Sequence, residues 1–515
     1  MIARRNLVVI AVLSSAVMEV LDTSVVNVSL PHIAGNLSAT TDEATWVLTS
    51  YLVANAIILP MSGWLANYFG RKRMLMTVVT GFTASSLLCG LAPSLPMLIL
   101  FRVLQGITGG GLQPLSQAVL LEEFPPQERG KAMALFGLGI VAAPILGPTL
   151  GGWITDAYSW RWVFYINLPV GIASLILISL FVTDPPYMHR GALRADFWGF
   201  GMLAVGMGAL QIMLDKGQED DWFGSRFILA LAIAAAVFLI GFIIRELTVD
   251  QPIVHLGLLK YRSFAAGIFF VTALGFVLYS SLVLLPLFMQ TLLGWTSATA
   301  GLWCSPRGVG TALCMPLVGY LLGKGWDGRW LLASGFVVAG YSLLGFSHMN
   351  LQSGTWDILV WQLSQGLGMS FIFVPLTTLT MDPIPKRETG YATALYSVMR
   401  NIGSSVGVSF VTTWLARRAQ FNQSMLAAHV TPYDPAAQRM LSQARSMLVR
   451  NGADPVTANR QAMAMLYGMV QRQASVLSFL TVFRIIGLVF LAIIPLVLIL
   501  RKPKYLRGPG AAGAH

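Results

Sequence analysis

Two acids, Glu19 and Asp22, interrupt a long apolar run near the start of the chain, Val17-Met-Glu-Val-Leu-Asp-Thr-Ser-Val-Val-Asn-Val-Ser-Leu-Pro31. Their three-residue spacing puts both carboxylates on one face of a helix. If the run crosses a bilayer, both acids lie at membrane depth. An ionised acid there costs about 3 kcal/mol or more, so such residues mark a proton or ion path. The plainer alternative is an acid paired with a buried cation or lining a wet crevice. Arg102 is the candidate partner. At about 1.5 Å per helical residue, Arg102 and Asp22 lie roughly 9 and 12 Å below the outer ends of their segments, so the two can pair. Protonating Asp22 would release Arg102, which makes a two-state element that a proton can bias. Glu19 lies one turn deeper, roughly 16 Å down, where it could trade a proton for a cationic substrate.

The composition says what must position these groups. The 515 residues are 55% hydrophobic and 11% charged, with a mean hydropathy of +0.68. A soluble domain carries about 25% charged residues. The chain is therefore expected to be an all-α polytopic membrane protein. Its 50 glycines and 25 prolines suit closely packed transmembrane helices. The net charge of +12 would suggest nucleic acid in a soluble chain. Here the cations fall in short connections, which points to membrane orientation and excludes a nucleic-acid partner. Cys89, Cys304 and Cys314 all lie in apolar segments and form no disulfide framework. The six histidines show no metal-ligand spacing. Gly106-Ile-Thr-Gly-Gly-Gly111 lies inside a span and lacks the Lys-Ser/Thr of a phosphate loop. No Ser-His-Asp arrangement is visible either, so an enzyme, a metal and a cofactor are not expected, and the proton gradient is the expected energy source.

Fourteen apolar segments have about the length that crosses a ~30 Å hydrocarbon core. They cover 7–30, 44–65, 73–92, 96–120, 132–155, 161–183, 196–214, 226–246, 264–289, 297–322, 329–348, 356–380, 390–414 and 476–500. Alternate short connections carry Arg4/Arg5, Arg71/Lys72/Arg73, Arg129/Lys131, Arg190/Arg194, Arg245/Lys260/Arg262, Lys324/Arg329, Lys386/Arg387 and Arg501/Lys502/Lys504/Arg507. These are twenty of the 34 Lys and Arg, against Arg161, Lys216 and Arg226 on the opposite side. That asymmetry predicts fourteen spans with both termini cytoplasmic. The start resembles a signal peptide, but its length, its two acids and the spans that follow make it a signal anchor and first span.

An internal repeat runs through the chain. Leu100-Phe-Arg-Val-Leu-Gln-Gly106 matches Val360-Trp-Gln-Leu-Ser-Gln-Gly366 at an offset of 260 residues, and Gly130 and Gly147 recur as Gly390 and Gly407. Pro60-Met-Ser-Gly-Trp-Leu65 recurs as Pro316-Leu-Val-Gly-Tyr-Leu321. Spans 1–6 and 9–14 are thus two parallel copies, a transporter architecture with its site between them. The expected division is an N-terminal six-helix bundle (1–185), two inserted central spans (186–262) and a C-terminal six-helix bundle (263–515). Residues 416–474 are expected to be an outer loop with a helical hairpin. Asp434-Pro435 would start its first helix and Asn451-Gly452 would stop it.

Two glycine-rich motifs read as gates. In Gly63-Trp-Leu-Ala-Asn-Tyr-Phe-Gly-Arg-Lys-Arg73, Gly63 allows close helix approach, Gly70 allows a tight turn, and Arg71 and Lys72 can grip helix ends. In span 5, Gly147, Gly151 and Gly152 line a small-residue stripe broken by Pro144 and Pro148, which suggests a hinge or seal. Together with Arg102-x-x-Gln-Gly106 and Leu21-Asp-Thr-Ser-Val-Val-Asn-Val-Ser-Leu-Pro31, these motifs resemble the signatures of the major facilitator superfamily, and of its 14-span drug:proton antiporter branch. Leu210-Gln-Ile-Met-Leu-Asp-Lys-Gly217, Gln251-Pro-Ile-Val254 and Pro375-Leu-Thr-Thr378 are similar to EmrB-type pumps in particular. The resemblance implies the major facilitator fold and export driven by protons. It also implies a periplasmic adaptor and an outer-membrane channel as partners, with adaptor contact at 416–474. The chain departs from the pattern at four positions. Asn67 stands where the loop motif has Asp, Glu19 stands where EmrB-type chains have Gln, and Arg307 and Arg484 are extra intramembrane cations. Glu19 could be balanced across the cavity by Arg307 or Arg400, whereas Arg484 could snorkel outward.

The inner spans of such a fold carry the cavity candidates Asn27, Gln105, Gln113, Tyr279, Gln290, Trp303, Trp361, Gln365, Phe371, Tyr396 and Arg400. An apolar, aromatic lining with few polar anchors suits hydrophobic or amphiphilic compounds. The expected function is proton-driven export of drugs or fatty-acid-like toxins across a bacterial inner membrane. The alternative is the same fold exporting one metabolite or siderophore.

Overall fold

The computed structural model describes residues 2–184, 196–431 and 433–501. The expected 185/186 boundary, Arg190, Arg194, Lys502, Lys504, Arg507 and the rest of the tail lie outside the described residues. The described chain is helical, with no strand among the described residues. Long apolar runs in a low-dielectric solvent must satisfy every backbone group internally, and helices do so within one segment.

The helix carrying the two acids, α1 (Ile2–Asn36), packs against α2 (Thr41–Ile58) and against α6, α7 and α9, described below. Thr40 and Glu43 form a reciprocal cap at the start of α2: the Glu43 N–H donates to Thr40 Oγ1 at 3.2 Å and the Thr40 N–H to Glu43 Oε2 at 2.8 Å. This fixes where α2 begins, and so which face carries Tyr51 and Asn55, one turn apart. Pro60 turns the chain through a 3-10 segment into α3 (Ser62–Phe69). Gly70, at φ +90°, reverses it into α4 (Arg71–Leu91), a conformation that an L side chain rarely adopts. Helices α5 (Leu95–Gly109) and α6 (Leu112–Glu123) are one apolar segment interrupted at consecutive glycines, with Arg102 and Gln105 on the first and Gln113 on the second. Then follow α7 (Arg129–Ala157), the single turn α8 (Trp162–Tyr165) and α9 (Asn167–Phe181). Helix α7 bends by 42° between Pro144 and Leu146.

Helices α10 (Phe197–Lys216) and α11 (Arg226–Thr248) pack on each other, and α10 also touches α2. The remaining helices are α12 (Arg262–Thr291), α13 (Ser297–Cys304), α14 (Pro306–Gly323), α15 (Gly328–Phe346), α16 (Thr355–Met381) and α17 (Thr389–His429). Within this set α12 packs on α17, α14 on α16, and α15 on α16. Contacts between the two sets run from α7 to α14 and α16, and from α17 to α3 and α6.

Among the described residues eleven helical stretches are long and apolar enough to cross a membrane, or twelve if the bent α7 is one span. The expected count of fourteen is therefore not reached by length and apolarity. The segments at 297–322 and 390–414 are helical but fall outside this set: the first is broken at Ser305 and carries Arg307, and the second is rich in Ser and Thr and carries Arg400 and Asn401.

The expected helical hairpin is present within 416–474, its first helix starting at Pro435 and stopping before Asn451, but the stretch before it is helix and not loop. Helix α17 runs unbroken for 41 residues, roughly 60 Å, about twice the hydrocarbon thickness. It is followed by α18 (Pro435–Arg450) and α19 (Pro455–Ala492), which continues into the last apolar segment. Asp434 caps α18 by accepting from the Ala436 N–H, Gly452 ends its turn at φ +93°, and Asp454 caps α19. Asn422 of α17 donates to Ser478 Oγ of α19 at 2.9 Å, and Gln423 to the Tyr467 hydroxyl at 2.9 Å. The result is a helical projection in which α17 and α19 extend past their apolar stretches and α18 packs alongside α19.

Candidate functional site

Asp22 and Arg102 meet in the interior, both with fully buried side chains, at 2.6 Å between Asp22 Oδ2 and Arg102 Nη1. Most of the remaining groups are engaged nearby, whereas Arg102 Nη2 is buried with no hydrogen-bond partner. Asp22 Oδ1 accepts from Gln105 Nε2 at 3.0 Å and from Asn167 Nδ2 at 2.7 Å. Arg102 Nη1 also donates to Gln105 Oε1 at 2.7 Å, and its Nε donates to the Val47 carbonyl at 3.0 Å. Gln105 and Asn167 both reach Ser86 Oγ, at 2.8 and 3.2 Å. The guanidinium lies 4.2 Å over the Tyr51 ring, a cation–π contact strengthened where water is excluded. These hydrogen bonds offset part of the desolvation cost of a buried ion pair. The candidate Gln105 thus belongs to this network and not to a cavity lining. Asn167, Ser86 and Tyr51 were not singled out from the sequence. Their signal was faint: single polar residues in otherwise apolar segments.

Glu19 lies beside this pair and has three neutral donors. Gln113 Nε2 stands at 2.5 Å, Asn55 Nδ2 at 3.1 Å and the Tyr51 hydroxyl at 3.4 Å. Tyr51 therefore touches both acids' environments, bonding Glu19 through its hydroxyl and stacking on Arg102 through its ring. Gln113 also accepts from Arg400 Nη2 of α17. Carboxylate, amide and guanidinium form a relay that joins α1, α6 and α17. Of the two cations expected to balance Glu19, the structure brings Arg400 near it, through Gln113. Arg307 instead donates to Ser281 Oγ at 2.9 Å and to Gln365 Oε1 at 3.2 Å.

A pocket opens beside this relay. Arg307, Arg400 and Tyr279 provide its polar groups, and Ile140, Val141, Pro144, Leu278, Met369 and Phe373 are among its apolar walls. The other cavity candidates sit elsewhere. Asn27 and Gln290 are exposed on α1 and α12. Trp303 packs on Trp295, and Trp361 on Tyr341. Phe371 lies against Gly335 of α15, and the Tyr396 hydroxyl pairs with Thr377. Arg484 is exposed on α19, the placement expected of a snorkelling side chain.

The gate candidates cluster at helix crossings. A Cβ on Gly63 would lie 2.6 Å from the Gly390 carbonyl, and one on Gly319 would lie 3.1 Å from the Gly130 carbonyl. These four glycines are repeat mates, so α3 on α17 and α14 on α7 form two matching close crossings at the end of the molecule that carries Arg71 and Lys72. Arg71 is buried and pairs with Glu122. The Lys72 N–H donates to Asp184 at 2.8 Å, and its ammonium to the Ser179 carbonyl at 2.6 Å. Asn67 reaches the Tyr391 hydroxyl across the same crossing, a neutral contact where the motif has an acid. At the other end, Gly147 faces Ser24, Gly151 faces Val25 and Gly152 faces Val28, while Pro148 approaches Gly301.

The profile of the Major Facilitator Superfamily matches residues 12–408. The chain belongs to this superfamily. It is a multi-pass membrane transporter of the major facilitator fold. Its relatives include the fatty acid resistance protein FarB of Neisseria gonorrhoeae, 37% identical over 96% of this chain and 95% of that one. The multidrug export protein EmrB of Escherichia coli is 35% identical over 100% of this chain and 98% of its own length. The multidrug export protein EmrB of Haemophilus influenzae is 40% identical over 85% and 86%. Among solved structures, the human organic anion transporter MFSD10 matches with a TM-score of 0.57 at 12% identity, over 79% of this chain and 93% of that one. This last likeness speaks for the major facilitator fold alone.

Proposed function

We propose that this transporter exports hydrophobic and amphiphilic toxic compounds from the cytoplasm across a bacterial inner membrane, driven by inward protons. The observation that carries the coupling is the buried Asp22–Arg102 pair, with its network of Gln105, Asn167 and Ser86. Protonating Asp22 removes the charge that Arg102 answers, and a buried unpaired guanidinium is costly enough to drive rearrangement. Glu19 is a second proton acceptor, tied through Gln113 to Arg400 and so to the substrate pocket. The names of the relatives, multidrug export and fatty acid resistance, support the substrate breadth.

Residues 1–185 and 263–515 are the two units that rock against each other, with 186–262 as the inserted pair. The end carrying Arg71 and Lys72 faces the cytoplasm, as do both termini, and the matched glycine crossings there are the inner gate. Gly147, Pro148, Gly151 and Gly152 serve the outer gate. The projection of α17, α18 and α19 stands in the periplasm, where it hands substrate to an adaptor and an outer-membrane channel.

The test is efflux of a panel of hydrophobic compounds from intact cells, with and without a proton uncoupler. Several compounds should leave, and the uncoupler or Asp22→Asn should each cut the rate at least about tenfold. Efflux that survives the uncoupler overturns the coupling. Efflux confined to a single metabolite favours the narrower alternative.

A further inference from the structure

Two motifs set apart in the sequence, Leu210-Gln-Ile-Met-Leu-Asp-Lys-Gly217 and Gln251-Pro-Ile-Val254, belong to the inserted pair and its connection to α12. The first meets both halves of the molecule, in two different ways. Along α2, Thr45, Thr49, Val53 and Ile57 are spaced four apart and form one stripe. Lys216 Nζ donates to Thr45 Oγ1 at 2.6 Å, Asp215 accepts from Thr49, and Gly208 faces Val53 and Ile57. This is a continuous seam along most of α2. Contact with α17 is made at points. Gln211 Oε1 accepts from Ser405 Oγ at 3.0 Å, and Trp222 Nε1 donates to Thr413 Oγ1 at 3.0 Å. At the opposite end, Glu246 accepts from the Ile253 and Val254 N–H groups, and His255 stands edge-on to Tyr391 of α17. The turn that presents Trp222 is strained. Asp221 and Trp222 are both left-handed, at φ +56° and +47°, where side-chain-bearing residues are uncommon. Such strain persists only where the surroundings hold it, and it collects at working positions.

We infer that the inserted pair is carried by the first half and latches the second half at its outer end, with Trp222 as the positioning residue of that latch. Two units that rock against each other must part somewhere, and the thinnest contact gives first. A packed seam of interlocked side chains moves as one body. Two hydrogen bonds between neutral side chains add little net stability and can be exchanged for others. Ser405 and Thr413 lie beyond Arg400 on α17, on the side away from Arg71. Their bonds to Gln211 and Trp222 are therefore made when the outer end is closed and lost when α17 swings away from α2. The seam between Thr45 and Ile57 stays made throughout. The inference rests on the rocking of the two units proposed above and adds the part played by residues 196–262.

The test measures distances between spin labels in purified full-length protein, with Cys89→Ala, Cys304→Ala and Cys314→Ala. Labels go on three exposed positions at the outer ends of helices: Leu91 of α4, Leu229 of α11 and Trp356 of α16. Distances are read in mildly acidic and mildly alkaline buffer. The distance from 91 to 356, between the halves, should shift by about 5 Å or more, and that from 229 to 356 should follow it. The distance from 229 to 91 should stay within about 2 Å. A shift between 229 and 91 of the same size overturns the inference, because the inserted pair then does not travel with the first half. Constancy of all three distances in protein that still transports overturns the rocking reading instead. Trp222→Phe keeps a ring and removes the N–H. It should raise the population with the longer 91–356 distance about threefold. Thr413→Val should do the same, and the two together no more than either alone, since they remove one bond. Phe223→Leu, at the exposed neighbour, should change nothing. Unchanged populations in both Trp222→Phe and Thr413→Val overturn the latch.

Discussion

Asp22 and Glu19 share a helix face but not a chemical situation. Asp22 has a cation at 2.6 Å and two amide donors, whereas Glu19 has only neutral donors and a cation one amide away. The same residue-level logic applies at the membrane surface. Asp196 caps α10 and takes a fork of bonds from Arg245, at 2.7 Å between Nε and Oδ2 and 2.7 Å between Nη2 and Oδ1. The Arg245 bonds hold its carboxyl below the ordinary 3.8. A depressed folded value means stability that is fully present above about pH 4 and is lost as pH falls through the folded pKa. The melting temperature of the wild type should therefore exceed that of Arg245→Gln at neutral pH. The gap should narrow as the pH is lowered below about 4, where the unfolded carboxyl takes up its proton first. A gap that stays constant across this range would show that Arg245 acts by packing and not by charge.

At the scale of one element, α7 is shaped by its prolines. Pro148 has no N–H to give the Pro144 carbonyl four residues earlier. That carbonyl accepts instead from Ser24 Oγ of α1, at 3.1 Å. Gly147 makes room for the approach, since a Cβ there would fall 2.4 Å from the Ser24 Cβ. A kink in one helix is thus repaired by a hydroxyl from its neighbour, so the two helices move together at this point. Ser24→Ala should destabilise by about 1 kcal/mol, the usual cost of one such bond. Pro148→Ala restores the N–H, so adding Ser24→Ala to it should cost much less. Thermal melts of the two single variants and the double variant measure the coupling. Additive losses would mean that the Ser24 bond does not answer the missing N–H.

For the whole molecule, the decisive arrangement is the pair of matched crossings, Gly63 on Gly390 and Gly319 on Gly130. Both join one half of the repeat to the other, and both require backbone contact that no side chain could share. The proposed alternating access requires them to close and separate in turn. A Cβ at Gly63 would fall 2.6 Å from the Gly390 carbonyl, so Gly63→Ala does not fit while this crossing is closed. Gly63→Ala should therefore cut export to below about a tenth in protein that still reaches the membrane in normal amount. Full export by this variant would show that the cycle does not need this crossing closed.

Polytopic character, helicity and the repeat were legible in the sequence, because they depend on composition and period. So was the Asp22–Arg102 encounter, since helical rise converts sequence distance into depth. Depth alone leaves the direction of each side chain around its helix undetermined. For that reason Trp361, which packs on Tyr341 of α15, was indistinguishable from a pocket residue. Asn167 and Ser86 could not be assigned to Asp22 for the same reason. The span count rested on hydropathy and on the alternation of positive charge, and polar inner helices such as α17 dilute the first signal. The hairpin within 416–474 was legible from its capping residues, but that α17 continues as helix to His429 and pairs with α19 was not. Composition, periodicity and motif spacing thus determined the class of protein, the family resemblance and the two acids buried in the first helix. Only the tertiary structure decided which groups share a neighbourhood: Tyr51 between the two acids, Gln113 between Glu19 and Arg400, and Arg307 facing a pocket with no acid to answer it. Those contacts join helices far apart in sequence, and their geometry is set by how the helices cross.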